Sequence, residues 1–176
     1  MTDPRPRRPW LRLLLVLVPA SAVIVLLGFG LRNTAGPPSP GDQAPAFRAP
    51  LLAGNGFLDL SELRGEPVVL NFWASWCEPC TDEAPMFRRA HRHYGDEVAF
   101  VGVDIRDDED DALEFVAEHD LDYWHVRDED LSIYDDYGLT GQPETFFLDS
   151  DGTIVEHVNG PLFEDDLFAL LDELSR

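Results

Sequence analysis

The chain has 176 residues, of which 44% are hydrophobic, and its formal net charge is −21. This length suits one domain with an appendage, and the apolar content argues against wholesale disorder. The 13 basic residues are all Arg and face 34 acidic residues, so the chain should repel phosphate backbones, which argues against nucleic acid as a partner.

The first element is an apolar segment, residues 13–31, which carries no charged side chain. At about 1.5 Å per residue it nearly spans the roughly 30 Å hydrocarbon core of a bilayer. Four Arg lie in residues 1–12, which predicts a cytoplasmic N-terminus followed by a transmembrane anchor. A signal peptide cleaved after Ala20-Ser21-Ala22 is the alternative, but the apolar run continues beyond that point. Either arrangement places the rest of the chain outside the cytoplasm.

A linker and one folded domain follow. Residues 32–45 contain four Pro and two Gly, which predicts an extended linker, and residues 46–176 are expected to fold. The apolar pattern and the turn residues of the folded part predict its elements in chain order. The first half contains a hairpin at 47–60, a buried strand at 67–73, a helix at 81–94 and a strand at 98–104. The second half contains a helix at 108–119, a short strand at 123–126, a short helix at 131–137, a hairpin at 145–158 and a helix at 163–174. This order predicts an α/β fold with a mixed central sheet.

The only two cysteines, Cys77 and Cys80, stand where the buried strand at 67–73 ends and a helix begins. A helix N-terminus stabilises a thiolate, which is the form of cysteine that attacks disulfides. We predict that Cys77 is the exposed attacking residue and that Cys80 resolves the mixed disulfide. A zinc half-site and a structural disulfide are the alternatives. Zinc would need two more ligands, and none of the five His has clear ligand spacing relative to the pair.

Two residues lie between the cysteines. Pro79 fits the first turn of a helix, where its missing N–H costs no hydrogen bond. The carboxylate of Glu78 disfavours a thiolate and should make the couple more reducing, unless full exposure screens its charge.

The segment 69–80, VLNFWASWCEPC, resembles the active-site strand and turn of thioredoxin-like proteins. It resembles more closely the membrane-anchored thiol–disulfide interchange proteins of bacterial cytochrome c maturation, the ResA, CcmG (DsbE) and TlpA types. Residues 41–47 match the lead-in of this group, which peroxidases of the same superfamily share. Residues 138–146, GLTGQPETF, resemble its second signature. The resemblance extends over residues 41–176.

The resemblance implies a thioredoxin-like fold with an N-terminal hairpin and a central insertion, here the acidic segment 106–136. It also implies that Pro143 is a cis-proline facing Cys77 and that the backbone of Gln142 pairs with an extended client. The residues expected to bind the client or tune the cysteines are Trp76, Glu78, Pro79, Gln142, Pro143 and Glu144, with Glu144 shaping an acidic groove near the sulfurs. The acidic segment is expected to be a solvated face, with a docking surface for a partner as the alternative.

The resemblance further implies that Glu83 assists proton transfer and that Pro85 kinks the helix. Asn71 stands where thioredoxin buries an aspartate, and an amide cannot accept a proton as a carboxylate does. Proton handling is therefore expected to fall to Glu83, with a solvated carboxylate as the alternative role for that residue.

The function implied by the resemblance is reduction of the Cys-x-x-Cys-His disulfide of apocytochrome c. The protein would be a monomer recharged by a membrane electron donor, with no metal and no cofactor besides the redox-active pair. The alternatives are a general oxidoreductase or oxidant with other clients, a peroxidase and a metal carrier.

Overall fold

A computed structural model of the chain describes residues 37–176. The predicted N-terminal segment 1–12, the anchor 13–31 and the first part of the linker lie outside the described residues. Within residues 37–176, no helix has both the length and the apolar character needed to cross a membrane. The elements are β1 (Arg48–Pro50), β2 (Phe57–Asp59), a 3-10 helix (Leu60–Leu63), β3 (Val68–Trp73), α1 (Glu78–Tyr94), β4 (Ala99–Ile105), α2 (Glu109–His119), β5 (Trp124–Asp128), α3 (Ser132–Asp136), β6 (Glu144–Leu148), β7 (Ile154–Asn159) and α4 (Glu164–Leu174).

The central sheet has five strands in the order β5-β4-β3-β6-β7. Strands β3, β4 and β5 run parallel, whereas β6 is antiparallel to both β3 and β7, so the predicted mixed sheet is confirmed. Every residue of β3 is buried, as expected for a central strand covered on both faces. Strands β1 and β2 form the predicted N-terminal hairpin as a separate two-stranded sheet.

Alternation along β3 sends side chains to two hydrophobic layers. Leu70 and Phe72 pack with residues of the β1–β2 hairpin and α3 on one face of the sheet. Val69 packs on the opposite face with apolar residues of α1 and α4, such as Phe87 and Leu171. The two layers hold β3 rigidly, and this fixes the point at which the cysteine turn emerges from the sheet.

Helix α1 begins three residues before the predicted position. Cys77 is its N-cap, and the Cys77 Sγ accepts a hydrogen bond from the backbone N–H of Cys80 at 3.3 Å. Pro79 lies in the first turn, as predicted, and Pro85 lies inside the helix. A sulfur atom therefore takes the place of the oxygen that usually caps a helix.

The acidic segment 106–136 is built into the domain rather than appended to it. It supplies β5 to the edge of the main sheet, and Ala112 and Val126 are fully buried. The acidic side chains at the start of α2, Glu109, Asp110 and Asp111, are exposed to solvent. The segment thus has an apolar inner side and a charged outer side.

Candidate active site

Cys77 and Cys80 form a disulfide at the carboxyl end of β3, with an S–S distance of 2.12 Å. Both residues are almost fully buried in this oxidised state, at 5% and 4% exposure. The sequence predicts an exposed Cys77, and in this state that prediction is wrong because Cys77 is buried. The physical reason is that the disulfide packs in a small apolar cluster, with Trp73, Ala84 and Phe115 among its members.

The loop before β6 faces the disulfide. The Gln142–Pro143 peptide is cis, as predicted, and the carbonyl oxygen of Gln142 lies 3.8 Å from the Sγ of Cys77. Sheet register explains the approach, because Glu144 at the start of β6 pairs with Phe72 near the end of β3. Backbone groups of the loop therefore lie beside the sulfur that a client disulfide must reach.

Three residues adjacent to the cysteines in the chain are exposed. The side chain of Trp76 is 57% exposed, and its indole N–H donates to the carbonyl oxygen of Arg106 at 3.0 Å. Glu78 and Pro79 are also exposed. Because water and salt screen an exposed charge, we expect the influence of Glu78 on the cysteine couple to be small.

Glu83 lies one turn after Cys80 on α1, and both residues are buried. Its Oε1 accepts a hydrogen bond from the backbone N–H of Leu162, whereas its Oε2 is buried and has no hydrogen-bond partner. Burial raises the pKa of Glu83 from its usual 4.5 to about 7, and the Leu162 N–H opposes this shift only in part. A carboxyl group of this kind can accept or release a proton near neutral pH.

Asn71 is buried on β3, two residues before the strand ends. Its side-chain amide donates to the hydroxyl oxygen of Thr145 on β6 at 3.0 Å. The position at which thioredoxin has a titratable group therefore holds a neutral hydrogen bond across the sheet.

Glu144 has a different position from the one expected, since its side chain is only 1% exposed and cannot line a groove. Its Oε1 accepts hydrogen bonds from the backbone N–H groups of Thr140 and Gly141 at 2.9 and 3.2 Å. Its Oε2 lies 2.9 Å from Nε2 of His157. The prediction of an acidic groove at Glu144 is wrong, because strand pairing turns this side chain inward to fasten the cis-proline loop.

Sequence reasoning missed the residues that hold the turn before Cys77. The carboxylate of Asp107 accepts hydrogen bonds from the backbone N–H and the hydroxyl of Ser75, the latter at 2.8 Å. Asp107 follows β4, the parallel neighbour of β3, and functional sites in α/β sheets form at such carboxyl ends. The position of Asp107 after β4 could therefore indicate a functional residue, but the acidic residues around it favour the interpretation of a solvated face.

Within the part of the chain that the structure describes, no group of three or more His, Cys, Asp or Glu side chains could hold a metal ion. The two sulfur atoms are bonded to each other. The arrangement of the described residues is that of a dithiol–disulfide couple with a buried acid one turn away.

Comparison with known proteins agrees with this geometry. Residues 40–157 match the AhpC/TSA family. The thiol:disulfide interchange protein DsbE of Pseudomonas fluorescens biotype C is 35% identical over 125 residues, 70% of this chain and 68% of the relative. The thiol–disulfide oxidoreductase ResA of Bacillus subtilis is 31% identical over 163 residues, 90% of this chain and 88% of the relative.

Solved structures extend the comparison to the fold. A secreted Mycobacterium tuberculosis disulfide oxidoreductase homologous to E. coli DsbE has a TM-score of 0.68 at 32% identity, covering 73% of this chain and 96% of that chain. M. tuberculosis DsbF has a TM-score of 0.69 at 31% identity, covering 78% and 99%. The chain therefore belongs to the AhpC/TSA family and is a thioredoxin-like thiol–disulfide oxidoreductase.

Proposed function

We propose that this oxidoreductase reduces client disulfides outside the cytoplasm and that its client is the Cys-x-x-Cys-His disulfide of apocytochrome c. One observation carries the proposal: the Cys77–Cys80 pair at the start of α1 faces the backbone of the cis-proline loop, with buried Glu83 one turn away. The similarity to DsbE and ResA proteins supports the same class of reaction.

The reaction begins with the reduced pair. The Cys77 thiolate attacks one sulfur of the client disulfide, so that a Cys77–client bond forms and the client's own S–S bond breaks. The second client sulfur leaves as a thiolate and takes up a proton. The backbone N–H of Cys80 that now contacts the Cys77 Sγ, together with the helix N-terminus, stabilises the attacking thiolate.

Cys80 completes the exchange. Its thiolate attacks the Sγ of Cys77, which forms the intramolecular disulfide and releases the client as a dithiol. Two electrons have then passed from the pair to the client. Cys80 must lose a proton before it attacks, and Glu83 is the acceptor that we assign to it, because its carboxyl group is on the same face of α1 and has a pKa near neutrality.

Client selection is assigned to the surface around Cys77. An extended client segment pairs with the backbone of Gln142, next to cis Pro143, and packs against the exposed indole of Trp76. Glu78 and Pro79 form the rim beside the sulfur pair. These contacts leave room for many extended sequences, so the identity of the client has to be determined by trapping.

Location and recharging complete the proposal. The apolar segment 13–31 anchors a monomer in the membrane, and its Arg-rich flank keeps the N-terminus in the cytoplasm. Each turnover leaves the pair oxidised, so a membrane electron donor must return two electrons. The acidic outer side of segment 106–136 is solvated in this arrangement.

Trapping of clients tests the proposal. In membranes, Cys80→Ala is expected to accumulate mixed disulfides with c-type apocytochromes, because the resolving sulfur is absent. Cys77→Ala is the matched control and should accumulate none. Recovery of only unrelated proteins would favour a general oxidoreductase. A reduction potential of about −120 mV for the Cys77/Cys80 couple, at the strongly oxidising end of the range, would contradict a role as reductant.

A further inference from the structure

The turn that precedes Cys77 is held from outside α1 by the loop that begins at Arg106, directly after β4. Asp107 accepts two hydrogen bonds from Ser75, one from the backbone N–H and one from the hydroxyl. The carbonyl oxygen of the neighbouring Arg106 accepts the indole N–H of Trp76. Three hydrogen bonds thus connect this loop to the two residues immediately before the attacking cysteine.

The loop is itself fixed at both ends. The backbone at Arg106 has a positive φ of 55°, a left-handed conformation that is uncommon for a residue other than glycine. The guanidinium of Arg106 lies 4.5 Å from the ring centroid of Tyr134, and the carbonyl oxygen of Asp107 accepts from Arg127 at 3.4 Å. Packing against α3 and β5 therefore holds the strained backbone that directs Asp107 toward Ser75.

Asp104 lies beneath this loop, at the end of β4 and in register with Trp73. It is only 2% exposed; one carboxyl oxygen has no hydrogen-bond partner, and the other lies 3.6 Å from Nε of Arg127. After burial, the negative charge of Asp107 in the loop is the main cause that raises the pKa of Asp104. Arg127 of β5 compensates incompletely, because Glu109 of α2 and Glu129 share the same guanidinium.

We propose that Asp107 is a positioning residue for thiol exchange, holding Ser75 so that Trp76 and the Cys77 sulfur face the client, and that ionisation of Asp104 beside it weakens this hold. When Asp104 is neutral, Asp107 keeps its bonds to Ser75. When Asp104 is charged, its carboxylate repels that of Asp107. Burial, with the charge of Asp107 added, raises the pKa of Asp104 to about 7, which places the change in a physiological range.

The inference rests on the proposed exchange at Cys77 but not on the identity of the client. It is tested with a small model disulfide, oxidised glutathione, and the purified full-length chain in mild detergent. Asp107→Ala and Ser75→Ala are expected to slow exchange by about tenfold, because displacing a reacting group by an ångström is enough to lose that much. Ser75→Thr, which keeps the hydroxyl, should restore most of the rate. Asp111→Asn, at an exposed acid of α2, is the matched control and should leave the rate unchanged.

The role of Asp104 is read from a ratio of rates. The exchange rate of Asp104→Asn should equal that of the wild type below about pH 6 and exceed it several-fold above about pH 8, because the amide imitates the neutral acid. The NMR signal of the Trp76 indole N–H should shift in Asp107→Ala. If Asp107→Ala does not fold, the same shift is expected in Asp107→Asn. Wild-type rates in Asp107→Ala and Ser75→Ala, or a ratio for Asp104→Asn that does not vary with pH, would overturn the proposal. These rates are measured with glutathione, so they test the inference even if trapping recovers no apocytochrome.

Discussion

Two buried glutamates flank the cysteine site, and their surroundings differ. Glu83 on α1 has one oxygen bonded to a backbone N–H and one oxygen without a partner. Glu144 at the start of β6 has both oxygens engaged, by the backbone of the cis-proline loop and by His157. Burial is equally complete, at 4% and 1% exposure.

The difference shows that hydrogen-bond partners, rather than burial alone, decide what a buried acid can do. A carboxylate that accepts hydrogen bonds from several donors is fixed in place and serves as a structural anchor. A carboxylate with a single donor in an apolar setting binds a proton readily, and burial accordingly raises the pKa of Glu83 to about 7. One residue suits proton transfer, and the other holds the loop that carries Pro143.

The largest expected effect is on stability at Glu144. Glu144→Ala should lower the free energy of unfolding by about 3–4 kcal/mol, because two backbone N–H groups and His157 lose their shared partner. Chemical denaturation measures this loss. Glu144→Gln is the matched control. Its carbonyl oxygen can still accept hydrogen bonds from the loop, so its free energy of unfolding should fall less. Equal stability of Glu144→Ala and the wild type would remove the anchoring role.

Stability should also depend on pH through Glu83. Between pH 4.5 and 7 the folded state keeps a proton that the unfolded state has released, so stability falls as the pH rises through this window. The fall attributable to Glu83 is up to about 3 kcal/mol at about 1.4 kcal/mol per pKa unit. Asp104, with its raised pKa, contributes in the same direction. The free energy of unfolding, measured from pH 4 to 8, should therefore change less with pH for Glu83→Gln than for the wild type. The same pH dependence in both proteins would contradict the raised pKa of Glu83.

A smaller effect is expected on exchange kinetics. Glu83→Gln should slow thiol exchange by about tenfold to a hundredfold, because Cys80 loses its proton acceptor. The wild-type rate should rise through pH 7, and the variant should lack the part of this rise that is due to Glu83. Stopped-flow measurement of the pH–rate profile decides the matter. An unchanged profile would reduce Glu83 to a buried structural acid.

The smallest effect concerns Glu78, which is exposed and stands between the two cysteines in the chain. Glu78→Gln should shift the potential of the couple by at most about 10 mV, because water screens an exposed charge. Equilibration with glutathione measures the shift. A shift of about 30 mV or more, which corresponds to roughly 1.4 kcal/mol, would show that the carboxylate acts on the sulfurs at close range.

Most of the fold follows from local pattern. The apolar run at 67–73 and the hairpin signal Ser150-Asp151-Gly152 identify strands that the structure contains as β3, β6 and β7. The sequence pattern predicts the start of α1 three residues too late, because the cap is the sulfur of Cys77 rather than a Ser, Asp or Asn oxygen. Element boundaries of this kind depend on a contact that the pattern does not contain.

The sequence by itself determined the cysteine pair, its place after a buried strand and the signature that surrounds Pro143, because these features depend on residues close together in the chain. Only the tertiary structure decided what each acid does. Glu83 meets Leu162 and Asp107 meets Ser75 across 79 and 32 residues of chain, and Glu144 turns inward through the register of β6 on β3. Charge and spacing alone cannot distinguish these carboxylates, since their hydrogen-bond partners are brought together only by the packed sheet and helices.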